Sequence, residues 1–494
     1  MSRTQRYTLL TGILIIATFL RFYHFSTTPP GLYPDEAMDG NNAVEVAQTG
    51  QFHVFYPEDN GREGLYVNII AIILKVWPIY KPWIIRLPAA VAGVLTVWGL
   101  YLLVAELFGN GPGLLASFLL ATSFWHINFS RIGFRAILAP LFLTWTLWLL
   151  TKAFRSIHTK RAYFYTVLAG ILYAAGFYTY IAYRITPILF LLFIPFFRKN
   201  PGFWKKAILF IVVTFIVAAP IGLYFVQNPG SFFGRTAQIS VTNAQDPVHD
   251  FVVNILKTAL MFNFHGDNNW RQNISGAPEL FWPVGILFIL GIALGIYSLW
   301  RRWRKKPLNE QIDRLFPSFA TLLTFAWIIF GGLPAAASDE GIPHALRSIL
   351  MVAPAMIFAA LGGIWLYGII KKYWGMNFAN IIAAAFIVIV AVFGYVDYFI
   401  VWAQNPNVPG AFNANYVQLG DEINQLPAST PKYIVVNAGG VLARGIPVPA
   451  ETVMFITDSF TIKDQQAHNI HYLLPNETSS IPSNTPSSTV FYIN

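Results

Sequence analysis

The chain has 494 residues, of which 55% are hydrophobic and 11% charged, and its mean hydropathy is +0.51, so a set of water-exposed domains is excluded. Ten-residue alternating segments are absent, which excludes a transmembrane barrel. A net charge of +10 on such a chain implies basic anchors on one membrane face rather than a nucleic-acid partner, and zero cysteines remove disulfides, thiolate metal sites and cysteine nucleophiles together.

Apolar stretches near the ~20 residues that cross a hydrocarbon core as helix predict eleven crossings, at 7–24, 84–107, 112–130, 136–153, 162–182, 185–197, 207–226, 281–300, 315–333, 345–369 and 378–402. The first follows Arg3 and Arg6 and has no small-residue cleavage site before Thr27, so it is read as a retained helix. Another apolar helix at 65–77 contains Asn68 and Lys75, stops at Pro78, and is too short to cross comfortably. It is predicted to lie in the interface. With an inside N-terminus, the clusters Lys152/Arg155/Lys160/Arg161, Arg198/Lys199/Lys205/Lys206, Arg301/Arg302/Arg304/Lys305/Lys306 and Lys371/Lys372 then all face the cytoplasm.

That topology places most carboxylates outside. Asp35, Glu36, Asp39, Glu45, Glu58, Asp59 and Glu63 fall in the first outer loop, 26–64. A second long outer loop, 227–280, carries His249, His265, Asp267 and Arg271, and a third, 334–344, carries Asp339, Glu340 and His344. After Trp402 the composition turns polar, with a helix predicted at 413–425, strands at 433–437, 452–457, 470–474 and 490–493, and a Ser/Thr/Pro/Asn loop at 476–488. The expected organisation is an all-α polytopic membrane module over 1–403 and a small extracytoplasmic α/β domain over 404–494. Its expected location is the cytoplasmic (inner) membrane.

Four constellations carry chemistry. Pro34 at a helix start followed by Asp35 and Glu36 predicts a helix to Ala47 with Val44 and Ala47 laid on the membrane, and puts Asp35 and Asp39 on one face at i, i+4. Acids in a first turn also merely complement the helix dipole. Arg62 and Glu63, in Gly61-Arg62-Glu63-Gly64-Leu65-Tyr66, suit a phosphate fork with a supporting carboxylate, or an exposed ion pair. Arg131 and Arg135, in Ser130-Arg131-Ile132-Gly133-Phe134-Arg135, sit at the outer end of two crossings, where anchors are disfavoured; they ask for an anion, or snorkel to headgroups. Arg347, just inside a crossing, poses the same question. His265-Gly266-Asp267-Asn268-Asn269-Trp270-Arg271 lacks the ligand count and spacing of a zinc site and reads as a substrate-contact loop.

In this order the motifs resemble the GT-C glycosyltransferases: the acid pair after a single N-terminal helix, Gly61 to Tyr66 leading into an interfacial helix, Arg86-Leu87-Pro88-Ala89-Ala90, Glu106-Leu107-Phe108-Gly109, Ser130 to Arg135, and the loop 265–273. The branch is similar to bacterial relatives of protein O-mannosyltransferases and of the lipid A aminoarabinose transferase (glycosyltransferase family 39-like), over residues 7–400. Two departures stand out. Arg62-Glu63-Gly64-Leu65 replaces a His/Lys-Pro-Pro-Leu segment, and Phe134-Arg135 stands where many relatives have an aspartate.

The resemblance implies inverting transfer of a sugar from a polyprenyl-phosphate donor to an acceptor hydroxyl on protein, lipid or glycan at the outer membrane face. Asp35 would be the general base and Glu36 a supporting acid. Arg62, Arg131 and Arg135 would meet the donor phosphate, with Glu63, Asp39, Tyr66, His265, Asp267, Arg271 and Arg347 contacting substrate. No metal or cofactor is expected, because a monophosphate donor gives less reason for a metal bridge. The rival readings are a lipid-linked glycan transporter or flippase, disfavoured by polar residues gathered in outer loops rather than at midplane on broken helices, and a glycan polymerase or ligase.

Overall fold

Backbone N–H and C=O groups find no water in hydrocarbon, so long runs of Leu, Ile, Val, Phe and Ala satisfy them internally as helix. In a computed structural model, which describes residues 1–156, 159–483 and 485–494, the first part of the chain forms α1 (Arg3–Phe22), α2 (Pro34–Thr49), β1 (Phe55–Tyr56), β2 (Arg62–Glu63), α3 (Leu65–Val76), α4 (Pro82–Phe108), α5 (Asn110–Thr122), α6 (Phe124–Phe129), α7 (Leu138–Arg155) and α8 (Thr159–Gly176). There follow α9 (Pro187–Phe190), α10 (Phe193–Phe197), α11 (Phe203–Gln227), α12 (Pro229–Gln238), α13 (Pro247–Leu260), α14 (Trp282–Trp303), α15 (Glu310–Leu315), α16 (Ser318–Ala336) and α17 (Val352–Val396).

Among the described residues six helical segments are long and apolar enough to cross a membrane: Pro82–Phe108, Arg135–Arg155, Phe203–Gln227, Trp282–Trp303, Ser318–Ala336 and Ile349–Trp402. The last is two crossings, because Gly375 leaves the helical region at φ 84° and ψ 167°. The hydroxyl of Tyr367 donates to Asn380 at 2.8 Å, a contact that two residues thirteen positions apart on a straight helix cannot make. The predicted crossing 112–130 breaks at Ser123 between α5 and α6, and 185–197 is a succession of short turns rather than one helix.

At one end of the bundle lie the basic clusters. Glu106 pairs with Arg155 at 3.4 Å, Lys206 donates to the carbonyl of Ala153 at 2.8 Å, and Arg302 pairs with Asp313 at 2.6 Å. The opposite end is held by buried arginines that saturate loop carbonyls. Arg131 donates to Leu20, Tyr23 and Thr28 at 3.1, 2.7 and 2.9 Å, and Arg86 to Pro29 and Gly31 at 2.7 and 2.8 Å. Small residues let helices meet closely where no hydrophobic force drives them together: a side chain on Gly291 would strike the backbone of Phe358, and one on Gly362 that of Leu287.

Beyond α17 the chain forms α18 (Asn407–Ala411), α19 (Ala414–Ile423), β3 (Lys432–Val436), β4 (Leu442–Ala443), β5 (Ile446–Pro447), α20 (Glu451–Ile456), α21 (Ile462–His468), β6 (Ile470–Leu473) and β7 (Val490–Ile493). The sheet is parallel with β3 in the middle, Ile434 facing Tyr472 on one side and Phe491 on the other. The loop expected at 476–488 joins β6 to β7; Asn484 within it lies outside the described residues.

Two expectations are corrected here. The run 452–457 is helix, not strand: all six residues of α20 are buried, and a short apolar run buried on every side carries no periodicity to separate the two. Nor does α2 lie on the membrane. It is sandwiched between the membrane module and the C-terminal domain, with Met38 in the core of the latter and Gly40 so close to Ile85 and Phe455 that a side chain would not fit.

Candidate functional site

The acid-bearing helix α2 starts at Pro34, whose fixed φ suits a first helical turn, and both ends and one face of it are gripped. Glu36 forms a two-pronged pair with Arg86, Oε1 to Nε and Oε2 to Nη2 each at 2.9 Å, and accepts the amides of Tyr33 and Gly133. On the other face, Asn41 donates to the carbonyl and carboxylate of Glu451 at 2.9 and 2.7 Å, and Thr452 to the carbonyl of Leu32 at 2.8 Å. Arg444 bridges Glu45 and Glu58, each at 2.7 Å, tying α2 to the loop that carries Asp59 and Arg62.

That loop is pinned by the two-residue pairing of β1 with β2, Tyr56 opposite Arg62 and Phe55 opposite Glu63. Alternation along a strand sends consecutive side chains to opposite sides. Arg62 points at α2, where its guanidinium lies 3.2 Å from Asp39 and 3.9 Å from Asp35, donates to the carbonyl of Asp35 at 3.1 Å, and bonds Asp59. Burial alone would depress this guanidinium, but Asp39, Asp35 and Asp59 hold it above its ordinary value. Burial raises the carboxyls of Asp39 and Asp59. Asp35 alone of the three is open, with its side chain 48% exposed.

Glu63 points the other way, between Arg135 at 3.1 Å and Arg184 at 3.4 Å. Arg184 donates to the carbonyl of Phe232 at 2.8 Å and lies over the rings of Phe225 and Phe232, 4.9 and 4.3 Å from their centres. It is also the charged residue in the lining of a cavity of ≈ 640 Å³ between α8, α9, α10 and α11. The lining runs along α11 from Phe203 to Phe225, about 33 Å at 1.5 Å per residue, which matches a hydrocarbon core of ~30 Å.

The loop 265–273 closes the third side. Asp267 accepts the amides of Asn269 and Ala345 at 2.8 Å each, and burial pushes its carboxyl up to about 6. Arg271 stacks on Tyr33, 3.6 Å from the ring centre and two residues before Asp35. His344, pushed down to about 3 by burial and by Arg347, Arg271 and Arg235, lies 3.7 Å from Asp267. Arg347 donates to the carbonyl of Glu340 at 2.9 Å.

The expected residues thus separate. Glu63 pairs with Arg135, Arg271 lies over Tyr33 close to Asp35, and Arg347 bonds the carbonyl of Glu340. Several others are corrected by burial. Glu36 is fully enclosed by Arg86 and two amides and cannot reach a substrate. Arg62 and Asp39 saturate each other in the interior, and Arg131 is spent on three carbonyls beneath Phe25, Tyr398 and Phe399. Tyr66 is buried and donates to the carbonyl of Ile85, Asp267 anchors its own loop, and His265 faces solvent. Arg184 and Arg235 were not singled out by the sequence, although Arg184 carries the same signal as Arg131, a cation at the outer end of a crossing. Among the described residues no group of three or more His, Cys, Asp or Glu side chains is arranged for a metal ion.

A bundle of apolar helices, with its acid-bearing loop and small α/β domain gathered at one end, is similar to the architecture of the GT-C membrane proteins. Residues 65–224 match the family model described as dolichyl-phosphate-mannose-protein mannosyltransferase. The fold is similar to that of ArnT from Cupriavidus metallidurans bound to undecaprenyl phosphate, with a TM-score of 0.57 and 14% identity over 99% of this chain and 90% of that one. It is also similar to the oligosaccharyltransferase of Archaeoglobus fulgidus in its apo form, with a TM-score of 0.55 and 14% identity over 96% of this chain; this chain spans 65% of that protein's length. The same archaeal protein, AglB, in complex with an inhibitory peptide and a dolichol-phosphate gives a TM-score of 0.53 and 14% identity over 96% of this chain and 70% of that one. A search of curated proteins by sequence finds no match.

Proposed function

We propose that the protein is an integral-membrane glycosyltransferase that moves a sugar from a polyprenyl-phosphate donor to an acceptor hydroxyl on the extracytoplasmic face of a cytoplasmic membrane, with inversion. The observation that carries the reading is the ion-pair chain that runs from the lining of the apolar cavity through Arg184 and Glu63 to Arg135. A membrane-deep apolar slot suits an isoprenoid chain, and its charged liner, Arg184, leads through Glu63 to Arg135. Cations fixed in advance at a place where negative charge develops stabilise a transition state by several kcal/mol without reorganising. ArnT bound to undecaprenyl phosphate and AglB in complex with a dolichol-phosphate agree with a phosphorylated isoprenoid ligand.

In the proposed step the acceptor oxygen attacks the anomeric carbon, its proton passes to Asp35, and the bond to the phosphate oxygen breaks. The lipid phosphate leaves with the electron pair, its charge met by Arg135, Arg184 and Arg347. Asp35 suits the base because it is the exposed carboxylate of its cluster, with Arg62 behind it. A positioned base of this kind contributes roughly 10²–10⁴-fold. A transporter would need polar groups at midplane, whereas these gather at one end. Asp35→Asn in purified, reconstituted protein should lower transfer from polyprenyl-phosphate sugars by about that factor with donor binding retained. Wild-type turnover in that variant would remove Asp35 from the base role.

A further inference from the structure

Toward the basic end of the bundle a second cavity, of ≈ 660 Å³, lies between α1, α5, α14 and both arms of α17. Its walls are apolar, with Leu9, Ile16, Phe118, Ile286, Ile370 and Phe386 among them, and it opens sideways, since Leu9 and Ile286 are half exposed at its lips. Of its few polar side chains, Tyr367 spends its hydroxyl on Asn380 at 2.8 Å. A sugar or a peptide buried against such walls would leave its polar groups unpaired. The lining runs from Thr8 to Ile16 on α1 and from Ala379 to Ile387 on the second arm of α17, about 12 Å each at 1.5 Å per residue. That is close to the depth of one leaflet of a ~30 Å core, whereas the slot beside Arg184 runs the full width.

Cations gather at the mouth of this groove. An adjoining hollow lined by Arg3, Tyr7 and Thr11 shares Thr8 and Gly12 with it. The guanidiniums of Arg3 and Arg6 lie 5.7 and 4.9 Å from the centre of the Tyr7 ring. Arg6 donates to Asn110, beside the lining residue Gly111, at 3.5 Å, and its Nε is enclosed with no hydrogen-bond partner among the described residues. Lys371 and Lys372 follow directly after the lining residue Ile370. Among the described residues no carboxylate pairs with any of these four cations: at this end Glu106 is taken by Lys152 and Arg155, and Asp313 by Arg302.

We propose that the groove binds an anionic diacyl phospholipid of the leaflet at the basic end, its acyl chains laid between α1 and α17 and its headgroup met by Arg3, Arg6, Lys371 and Lys372. Apolar walls alone would accept any lipid; the unpaired cations select one with net negative charge. The positive-inside rule assigns this end to the cytoplasm, whose leaflet carries anionic headgroups. The site does not depend on the transfer reaction, and its lining shares no residue with the slot beside Arg184.

Wild type in mixed micelles holding equal phosphatidylglycerol and phosphatidylcholine, followed by native mass spectrometry, should retain phosphatidylglycerol about tenfold or more over phosphatidylcholine, as a gained charge-assisted contact implies. Arg3→Gln combined with Arg6→Gln should bring that ratio near one while phosphatidylcholine is retained as before. Lys371→Gln combined with Lys372→Gln, on the other lip, should also lower the ratio and keeps the test open if the first pair fails to insert. A side chain at Gly12 would meet nothing within 4 Å, so Gly12→Phe should fill the groove without unfolding the protein and lose the retained lipid. Equal retention of the two lipids by wild type, or a wild-type ratio in Gly12→Phe or in both charge variants, overturns the inference. So does mole-for-mole displacement of phosphatidylglycerol by a polyprenyl phosphate, which makes the groove a second isoprenoid site, or conversion of a dimer to a monomer by Gly12→Phe, which seats a second copy of the chain there.

Discussion

Replacing Glu451 by Gln tests the seam between the C-terminal domain and α2. Glu451 is 1% exposed, its carboxylate meets the side chain of Asn41, and burial pushes its carboxyl from 4.5 up to about 7. Arg62 and Arg444 favour its charged form and Glu58 opposes it, but burial outweighs them. A folded-state value above the unfolded one means that the folded protein holds a proton which the unfolded chain releases. Stability should therefore be greatest below about pH 4.5 and should fall as pH rises toward about 7. At 1.36 kcal/mol per pH unit, that rise corresponds to a ceiling of ~3 kcal/mol lost by pH 8.

Gln keeps an oxygen that accepts from Asn41 and never ionises, so Glu451→Gln should be more stable than wild type at pH 8 by up to ~3 kcal/mol and equal to it at pH 4.5. Urea titrations at pH 4.5, 6 and 8, followed by protease cleavage of the C-terminal domain, give the difference directly. If variant and wild type lose stability in parallel between pH 4.5 and 8, Glu451 is not the group that couples protonation to this interface, and the reasoning from its burial is wrong.

Arg135→Ala and Arg184→Ala should each weaken binding of a polyprenyl phosphate, measured by competition with a labelled lipid, by about 10-fold or more, as expected for a charge-assisted contact of roughly 1.5–3 kcal/mol. Gly222 lines the apolar cavity with open space around it, so Gly222→Phe should lower affinity for the long isoprenoid while leaving thermal unfolding in detergent unchanged. Glu36→Gln leaves Arg86 buried without its carboxylate and should destabilise the outer end of the bundle by about 3–5 kcal/mol, seen as a lower unfolding temperature; an unaffected variant would mean the pair is not structural.

The sequence made the helices legible because hydrocarbon leaves the backbone few options, and the basic clusters it placed on one face gather at one end of the bundle. It also singled out Asp35 and Arg135 as candidates, since polar residues at the outer ends of crossings stand out against apolar neighbours. What it did not separate was accessible from enclosed charge. Glu36, Arg62 and Arg131 have the same local signature as Asp35 and Arg135, and only burial divides them. The division depends on partners far away in the chain: Glu36 is sealed by Arg86 and Gly133, and Arg131 by carbonyls of the loop after α1. Arg184 was missed because its stretch breaks into short turns, so the apolar pattern around it ended no clear helix. The mistaken strand at 452–457 has the same origin, a short apolar run whose partner, α2, lies some four hundred residues earlier.

That separation sets the order in which the molecule becomes competent. Glu451, Thr452 and Arg444 are translated some four hundred residues after Asp35, yet all three hold α2 or the turn before it. Throughout translation of the intervening helices, the helix bearing Asp35 has one flank bare. A chain cut short before α20 would insert its helices and leave the acids of α2 without the contacts that align them.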